Sequence, residues 1–571
     1  MRLSVSKSAN STSLYVIKST YEDKKHSTKI VEKLGTISEL EKKLNGEDPI
    51  EWANKYIAEL NRKQKEENSE VLVKYSPRKT IPKGQKRSFN GGYLFLQKIY
   101  HELSLDSICR DISEKYKFDF DLNSILSRLV YSRIIFPSSK HATYILSKDF
   151  LEQPNFDLHQ IYRALEVIAK EMDLIQSALY KNSLKVSSRK TGVLYYDCTN
   201  YFFEIEQDEG LKQYGHSKEH KPNPVVQMGL FMDADGIPLA FNINNGNMNE
   251  QLTLKPLEKK ILTDFGLSKF VVCTDAGLAS ASNRKFNDKG DRAFITTQSV
   301  KKLKKHLKEW ALDLKGWQLS GSKNIYDIEA LEDNEINKEK IFYKERWIKE
   351  DGLEQKLIVT YCLKYRDYQR KIRNSQILRA GNALNSSHSK LEKVNQNDYK
   401  RFIKKIHVTP DGEVAQKAVY SINEEAIAKE EIFDGFYAVC TNLEDDPSAI
   451  IKVNRRRWQI EECFRILKSE FKARPVYLSR DDRIRAHFTT CFISLMIFRL
   501  LEKKLNGEYT CSNIVDELRD MNFCEIKGDG YTPSYTRTDL TDSLHDAFGF
   551  RTDYEIVTNK MMKNIFKETK K

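Results

Sequence analysis

The sequence predicts an α/β fold in which a mixed five-stranded sheet with helices is interrupted by a mainly β insertion and preceded by a helical region. Three observations carry this. Apolar β-type runs, VLYYDCTNYFFEI, VVQMGLFM, IPLAFNIN, KFVVCT and GFYAVCTN, recur between residues 191 and 442. Three-to-four apolar spacing fills 91–185 before them and returns after them in 451–471 and 485–502. Between 299 and 433 the order breaks into β-like runs and a polar stretch too long to be a plain loop.

With 571 residues the chain exceeds one ordinary core, so two to four domains are expected. Lys and Arg number 94 against 81 Asp and Glu, a net +13 that suits a polyanionic partner such as nucleic acid. Nine cysteines are dispersed without a CxxC or His pairing, which argues against a disulfide framework or zinc site and for reduced thiols in a cytosol. The opening residues carry no apolar signal segment. The most apolar run, Cys491–Leu501, is short and contains Arg499, so it reads as a buried core helix and not a membrane span. A cytoplasmic protein with no membrane partner is expected.

Residues 1–75 open with the runs SLYVIKSTYE and TKIVEKLG, a hairpin joined through Asp23–Ser27, followed by a charged helix from about Ile50 to Glu67. Residues 76–190 form the helical part, a candidate DNA reader. A first core segment spans 191–298, with a hairpin marked by Asp235-Gly236. The insertion covers 299–433 and includes VKKLKKHLKEW, KIFYKERWI, KLIVTYCL and the polar stretch Asn374–Lys400. A second core segment spans 434–505, where Asp446-Pro447 supplies an N-cap and first-turn proline. Residues 506–571 form a mixed C-terminal region.

Within this order, three acids emerge from three elements. Asp197 interrupts a β run, and a buried unpaired carboxylate needs a partner. Asp275 ends the short strand KFVVCT, and the carboxyl ends of strands are where ligands bind in α/β sheets. Glu461 lies in IKVNRRRWQIEECFRILKSEF, Ile451–Phe471. Taken as one helix at 100° per residue, this stretch projects Asn454, Arg457, Glu461 and Lys468 within an arc of about 60°, with Arg465 and Lys472 beside them and an apolar stripe adjoining. Alone, that row is equally a solvated basic face with an Arg457–Glu461 ion pair. Strand, hairpin, helix, strand, insertion, strand and helix, with acids in the first strand, the fourth strand and a later helix, is the order of an RNase H-like core. Three carboxylates there can hold two hard cations such as Mg²⁺, with Mn²⁺ as substitute, for phosphodiester cleavage and transfer.

The words YYDCTN, VCTDAG and RRWQIEECFRILKS around these acids resemble the DDE transposases of bacterial insertion sequences, in the insertion-sequence-4-like superfamily and its 1634-type branch. The signature helix of that group reads Y-x2-R-x3-E-x6-K. Here the spacing falls on Asn454, Arg457, Glu461 and Lys468, with asparagine in place of tyrosine. The resemblance covers about 192–501. It implies that Asp197, Asp275 and Glu461 are the catalytic metal-binding acids and that Arg457 and Lys468 contact phosphate near the scissile bond. Asn454, Arg465 and Lys218 are further candidates for DNA contact. Glu462 breaks the spacing and is set aside in favour of Glu461.

The implied function is a transposase that binds the terminal inverted repeats of its own element as double-stranded DNA, cuts with two Mg²⁺ ions per site, and joins the ends to target DNA. A homodimer is implied once two ends are held together. The alternatives are a nuclease of the same core that cuts without joining and an inactive DNA-binding descendant. His216 in YGHSKEHKP, Asn247 and Glu250 in NNGNMNE, and Trp458 are lesser candidates, with solvated-loop, helix-capping and packing roles as their plainer readings. His487 is expected to serve the core.

Overall fold

The computed structural model describes the chain except for residues 9–10, 23–24, 45–46, 68–70, 72, 74–75, 386–396 and 409–413. These residues form two compact units: Met1–Gln85 with Ile526–Gly530, and Lys86–Glu525 with Tyr531–Lys571.

In the first unit the expected hairpin is present as Thr12–Glu22 against Lys25–Thr36, its turn residues 23–24 lying outside the described residues. A third strand, Arg2–Lys7, pairs antiparallel with the first of these. Its sequence, RLSVSK, alternates too briefly to be read as a strand. Thr36 caps the helix Ile37–Lys43 through a capping box with Glu39, and the longer helix Pro49–Glu67 follows.

The second unit is built on a nine-stranded mixed sheet. Its strands in chain order are β1 (Val193–Phe202), β2 (Val225–Asp233), β3 (Pro238–Asn245), β4 (Val271–Thr274), β5 (Ala293–Gln298), β6 (Gln318–Leu319), β7 (Phe342–Glu350), β8 (Leu353–Tyr361) and β9 (Phe436–Thr441). Across the sheet they run β6-β7-β8-β9-β5-β4-β1-β2-β3. β1 pairs parallel with β4 and β4 with β5, while all the other neighbours are antiparallel.

Two differences from the sequence reading have physical causes. The strand after β4 is not GFYAVCTN but β5, AFITTQ, whose polar second half hides it. β9, the GFYAVCTN strand, pairs with β5 through Val439↔Thr297. The stretch 299–433 does not form a β layer of its own: β8 pairs with the outer edge of β9 and carries β7 and β6 with it, so one sheet continues. That pairing satisfies an edge that would otherwise be exposed. The same stretch also holds a 22-residue helix, Leu363–Leu384, and a separate hairpin, Ile403–Val408 with Val414–Ile422. Of the polar stretch Asn374–Lys400, residues 386–396 lie outside the described residues.

The helix Asp481–Lys504 runs through the second unit, packed against Tyr93–Glu102, Leu122–Ile135, Leu158–Lys170 and β3. It is much longer than its eleven-residue apolar run suggests, and by length and composition alone it could cross a membrane. Here 89% of its apolar window is buried within the protein. Residues from the early helices, such as Tyr131 and Leu165, share one hydrophobic cluster with sheet residues Tyr195 and Phe241 and with Ile460. The helical region before residue 190 is therefore packed into the body of the sheet domain. All nine cysteines are free, and eight are buried, consistent with small apolar side chains.

The expected Asp235-Gly236 turn joins β2 to β3, with Gly236 at φ +74°. A Cβ there would meet the Arg499 guanidinium at 2.4 Å, so the position requires glycine on two counts. The turn is tied back by a fully buried ion pair, Arg189 with Asp233. Arg189 also donates to the carbonyls of Ile237 (3.1 Å) and Pro238 (3.0 Å), and Asp233 accepts from the N–H groups of Asp235 and Ile237, each at 3.0 Å. Asp233→Asn leaves the arginine charge buried without a counter-ion. It is expected to lower unfolding stability by about 3–5 kcal/mol, read by chemical denaturation, and a loss under about 1 kcal/mol would show that the pair does not anchor the hairpin.

Glu258, on the helix Leu254–Asp264, is fully buried, accepts from Asn287 at 3.1 Å and stands 3.4 Å from Arg292. Burial outweighs both partners and pushes its carboxyl up to about 7. A folded pKa above the unfolded value means that the folded state holds the proton more tightly. That stability is fully present below about pH 4.5 and is lost as pH rises through about 7. Glu258→Gln should therefore flatten the fall in melting temperature between pH 5 and pH 8, and a parallel fall in both proteins would refute it.

Candidate active site

The alternation of β1 decides which of its residues face the site. Tyr196 donates to or accepts from Thr253 at 2.7 Å on one side of the sheet, whereas Tyr195 donates to the Val453 carbonyl at 2.8 Å on the other. Asp197, two residues past Tyr195, shares the Val453 side. On β4, Cys273 turns its thiol toward Asn454 on that same side, so Asp275, two residues on, lies there too. The parallel ladder pairs Tyr195 with Cys273 and Tyr196 with Thr274. The next step of that ladder sets Asp197 level with Asp275.

The segment facing them starts as expected. Asp446 caps the helix Pro447–Arg455 through the Ser448 N–H at 2.9 Å, with Pro447 in the first turn. It is not one helix to Phe471, however. The chain turns at Arg456 and Arg457, resumes as Trp458–Arg465, and widens to a π-helical turn at Ile466–Glu470. The constant 100° step therefore fails on both sides of Glu461, yet Asn454, Arg457 and Glu461 still line one pocket and Lys468 still feels the Asp197 charge.

Arg457 and Glu461 stay together. The Arg457 guanidinium lies 3.8 Å from Glu461 Oε1 and 3.8 Å from Asp275 Oδ2. Burial opposes its charge, but Asp275, Tyr437, Asp197 and Glu461 together hold its pKa above the usual arginine value. Lys468 comes from the π turn, 3.3 Å from Glu219 and over the Tyr201 ring. Burial and the neighbouring Lys218 charge lower it to about 8, against the pull of Asp197.

Lys218 donates to the Cys198 carbonyl and pairs with Glu250 at 3.3 Å. Its loop is fastened by Asn200, which accepts from the Lys218 N–H and donates to the His216 carbonyl. His216 itself is exposed, and the capping role considered near Asn247 falls to Asn249. Asp197 is thus ringed by Lys218, Arg457 and Asp275; burial pushes its carboxyl up to about 6 against the two cations and the Cys198 N–H.

Two further candidates have partners within the protein, and Asn454 lines one pocket with Arg457 and Glu461. Asn454 is buried, its amide donating to Tyr437 Oη at 2.9 Å and its oxygen facing Cys273. Arg465 is held by Glu462 at 2.7 and 2.8 Å and by Glu470 at 3.2 Å, which also removes Glu462 as a rival for the site. Trp458 is 60% exposed beside a pocket of about 270 Å³ that Tyr365, Tyr437, Arg457 and Glu461 also line. His487 is a core residue, as expected. Sequence reasoning missed Glu219 and Tyr437. Glu219 sits in the charged loop next to Lys218, and Tyr437 sits in the GFYAVCTN strand; neither is marked by a spacing pattern.

Asp197, Asp275 and Glu461 offer carboxylate oxygens only, the donor set of a hard divalent cation. Burial, with Asp275 adding to it, holds the Asp197 carboxyl up, so positive charge placed beside Asp197 favours its charged form. At 3.8 Å the Arg457 guanidinium is beyond hydrogen-bond range of Asp275 and Glu461, so it leaves their lone pairs free. The three carboxylates fit a metal in type, although their oxygens do not all lie within 4.8 Å of one another. A tighter group, Asp542, His545 and Asp553, has ligand atoms within 4.8 Å of one another. Its acids are already neutralised by Arg537 and Arg551 at 2.7–3.4 Å. It is a structural ion-pair network.

No curated protein matches this chain. Among solved structures it is similar to a piggyBac transposase synaptic complex with hairpin DNA, at 7% identity and a TM-score of 0.35 over 85% of this chain and 88% of that one. Likeness at that level carries no argument. Residues 201–497, just over half of the chain, match the model of the transposase DDE domain, a span that begins just after Asp197 and contains Asp275 and Glu461. The chain belongs to the DDE transposase domain family.

Proposed function

We propose that this protein is the transposase of a bacterial-type insertion sequence, binding the element's terminal inverted repeats, cutting DNA strands there and joining the freed 3′-hydroxyls to target DNA. The observation that carries the reading is the Arg457 guanidinium set between Asp275 and Glu461 with Asp197 beside it, three acids supplied by two adjacent parallel strands and one helix. The segment β3-β2-β1-β4-β5, antiparallel up to β1 and parallel after it, supports an RNase H-like core. Asp197, Asp275 and Glu461 would hold Mg²⁺, or Mn²⁺ in its place, two ions per site. When bound, such ions activate a water or 3′-hydroxyl and stabilise the leaving oxygen.

The chain's own groups position the DNA. Arg457 offers its guanidinium fork to the phosphate next to the scissile bond, where its two carboxylate contacts are loose enough to be exchanged. Lys218 and Lys468 add positive charge near Asp197 and are paired with Glu250 and Glu219. The helices of residues 93–186 supply further DNA contacts, and holding two element ends together calls for a homodimer.

Asp275→Asn and Glu461→Gln should each lower Mg²⁺-dependent cleavage of a duplex carrying an element end by about 1000-fold while leaving the melting temperature nearly unchanged. Near-normal cleavage in either variant would remove the assignment. Restoring the signature tyrosine tests the asparagine. Asn454 is buried between Tyr437 and Cys273, so Asn454→Tyr overpacks that contact and is expected to cost about 1–3 kcal/mol of stability with no gain in cleavage. Faster cleavage at unchanged stability would show that the position does accommodate the ring.

A further inference from the structure

A cavity of about 360 Å³ lies where the chain leaves the π turn, away from the three acids. Its lining includes Arg133, Lys140, His141, Lys472, Arg474 and His487, and no carboxylate. The two deepest cations are unusual. Lys140 is 5% exposed, and its ammonium has no hydrogen-bond partner among the described residues. Arg133 is 4% exposed and donates to main-chain oxygens of Phe471 (3.1 Å), Lys472 (3.3 Å) and Ser138 (3.1 Å), which neutralise no charge.

Burying an unpaired ammonium costs several kcal/mol, and a second cation nearby adds to it. Burial and the Arg133 charge bring Lys140 down to about 7, and burial with both cations holds His487 well below the usual histidine value. Close by, the same chain treats a lysine differently: Lys468, four residues before Lys472, is matched by Glu219. The rim adds aromatic and apolar surface, with Tyr162 and Tyr477 among the lining residues. Basic groups at depth and tyrosines at the rim suit a phosphate that carries a flat ring.

We propose that this cavity binds a nucleotide through its phosphate, with Lys140 and Arg133 serving the phosphate and Tyr162 and Tyr477 the ring. The volume is that of a small-molecule pocket. Its place favours a nucleotide of a bound DNA strand: Arg474 shares Glu219 with Lys468, so a strand leaving the acids along 468–474 reaches the cavity. A free mononucleotide offers the same chemistry. The choice of a DNA strand as the source rests on the proposed function, whereas nucleotide binding in the cavity does not.

Binding of inorganic phosphate, deoxyadenosine 5′-monophosphate and a short labelled single-stranded oligonucleotide would be measured on the full chain, with melting temperature followed alongside. The variants are Lys140→Met, of similar length and apolar, and Lys472→Asn, which suits the left-handed backbone at φ +43°. Expected is at least about a tenfold loss of nucleotide or oligonucleotide binding in both variants, with Lys140→Met melting at or above the wild-type temperature. Binding of the oligonucleotide but not of the free compounds assigns the site to a DNA strand; binding of the free compounds assigns it to a mononucleotide. Wild-type affinity retained in Lys140→Met, or no Lys140-dependent binding of any of the three probes, overturns the proposal. None of these readouts depends on strand cleavage.

Discussion

The face that carries the candidate site depends on the register of one parallel ladder. Val193–Tyr196 lie level with Val271–Thr274, and this alone sets Asp197 beside Asp275. A slip of one residue on either strand would send one acid to the opposite face, where Tyr196 meets Thr253 and helix Leu254–Asp264 packs. The register is held from several sides. β2 pairs along the whole of β1, β5 continues the parallel run beyond β4, and the Arg189–Asp233 pair fixes the far end of the β2–β3 hairpin. Apolar residues on the Leu254–Asp264 side, including Leu194, Val272 and Leu257, add a buried cluster that a slipped register would expose.

Positive charge then completes what the register brings together. Arg457 is the common neighbour of Asp197, Asp275 and Glu461, and its own charge is sustained by them. Lys218 and Lys468 belong to different parts of the chain, yet both act on Asp197. The candidate site is thus a balance of three acids and three cations in which Lys218 also pairs with Glu250, and Lys468 shares Glu219 with Arg474.

How much of this was legible in the sequence follows from how local each signal is. Asp197 and Asp275 each stand inside or at the end of an apolar β run, so the sequence marks them as carboxylates needing partners, and the Arg457–Glu461 spacing survives because only four residues separate them. Asn454 and Lys468 lie across a turn and a π bulge from Glu461, and helical angles computed through those breaks lose meaning. β5 escaped notice because its second half is polar, although it lies in the middle of the sheet. The sheet-extending role of 342–361 escaped because pairing with β9 is a contact between segments some eighty residues apart, which composition does not encode. Glu219 had no pattern at all; only the fold brings it to Lys468 and Arg474.

The pairing of Lys468 and Arg474 with Glu219 bears on how salt should act on DNA binding. Lysines and arginines that neutralise DNA phosphates release the cations condensed on the DNA, and that release makes binding fall steeply with ionic strength. Here Glu219, a side chain of the same protein, stands beside both cations and offsets one of their two charges. If the proposed strand passes them, the pair would neutralise less phosphate than two free cations and so would add less than two charges to the salt slope. On that reading the dependence of strand binding on ionic strength would be shallower than the number of basic residues around the three acids suggests.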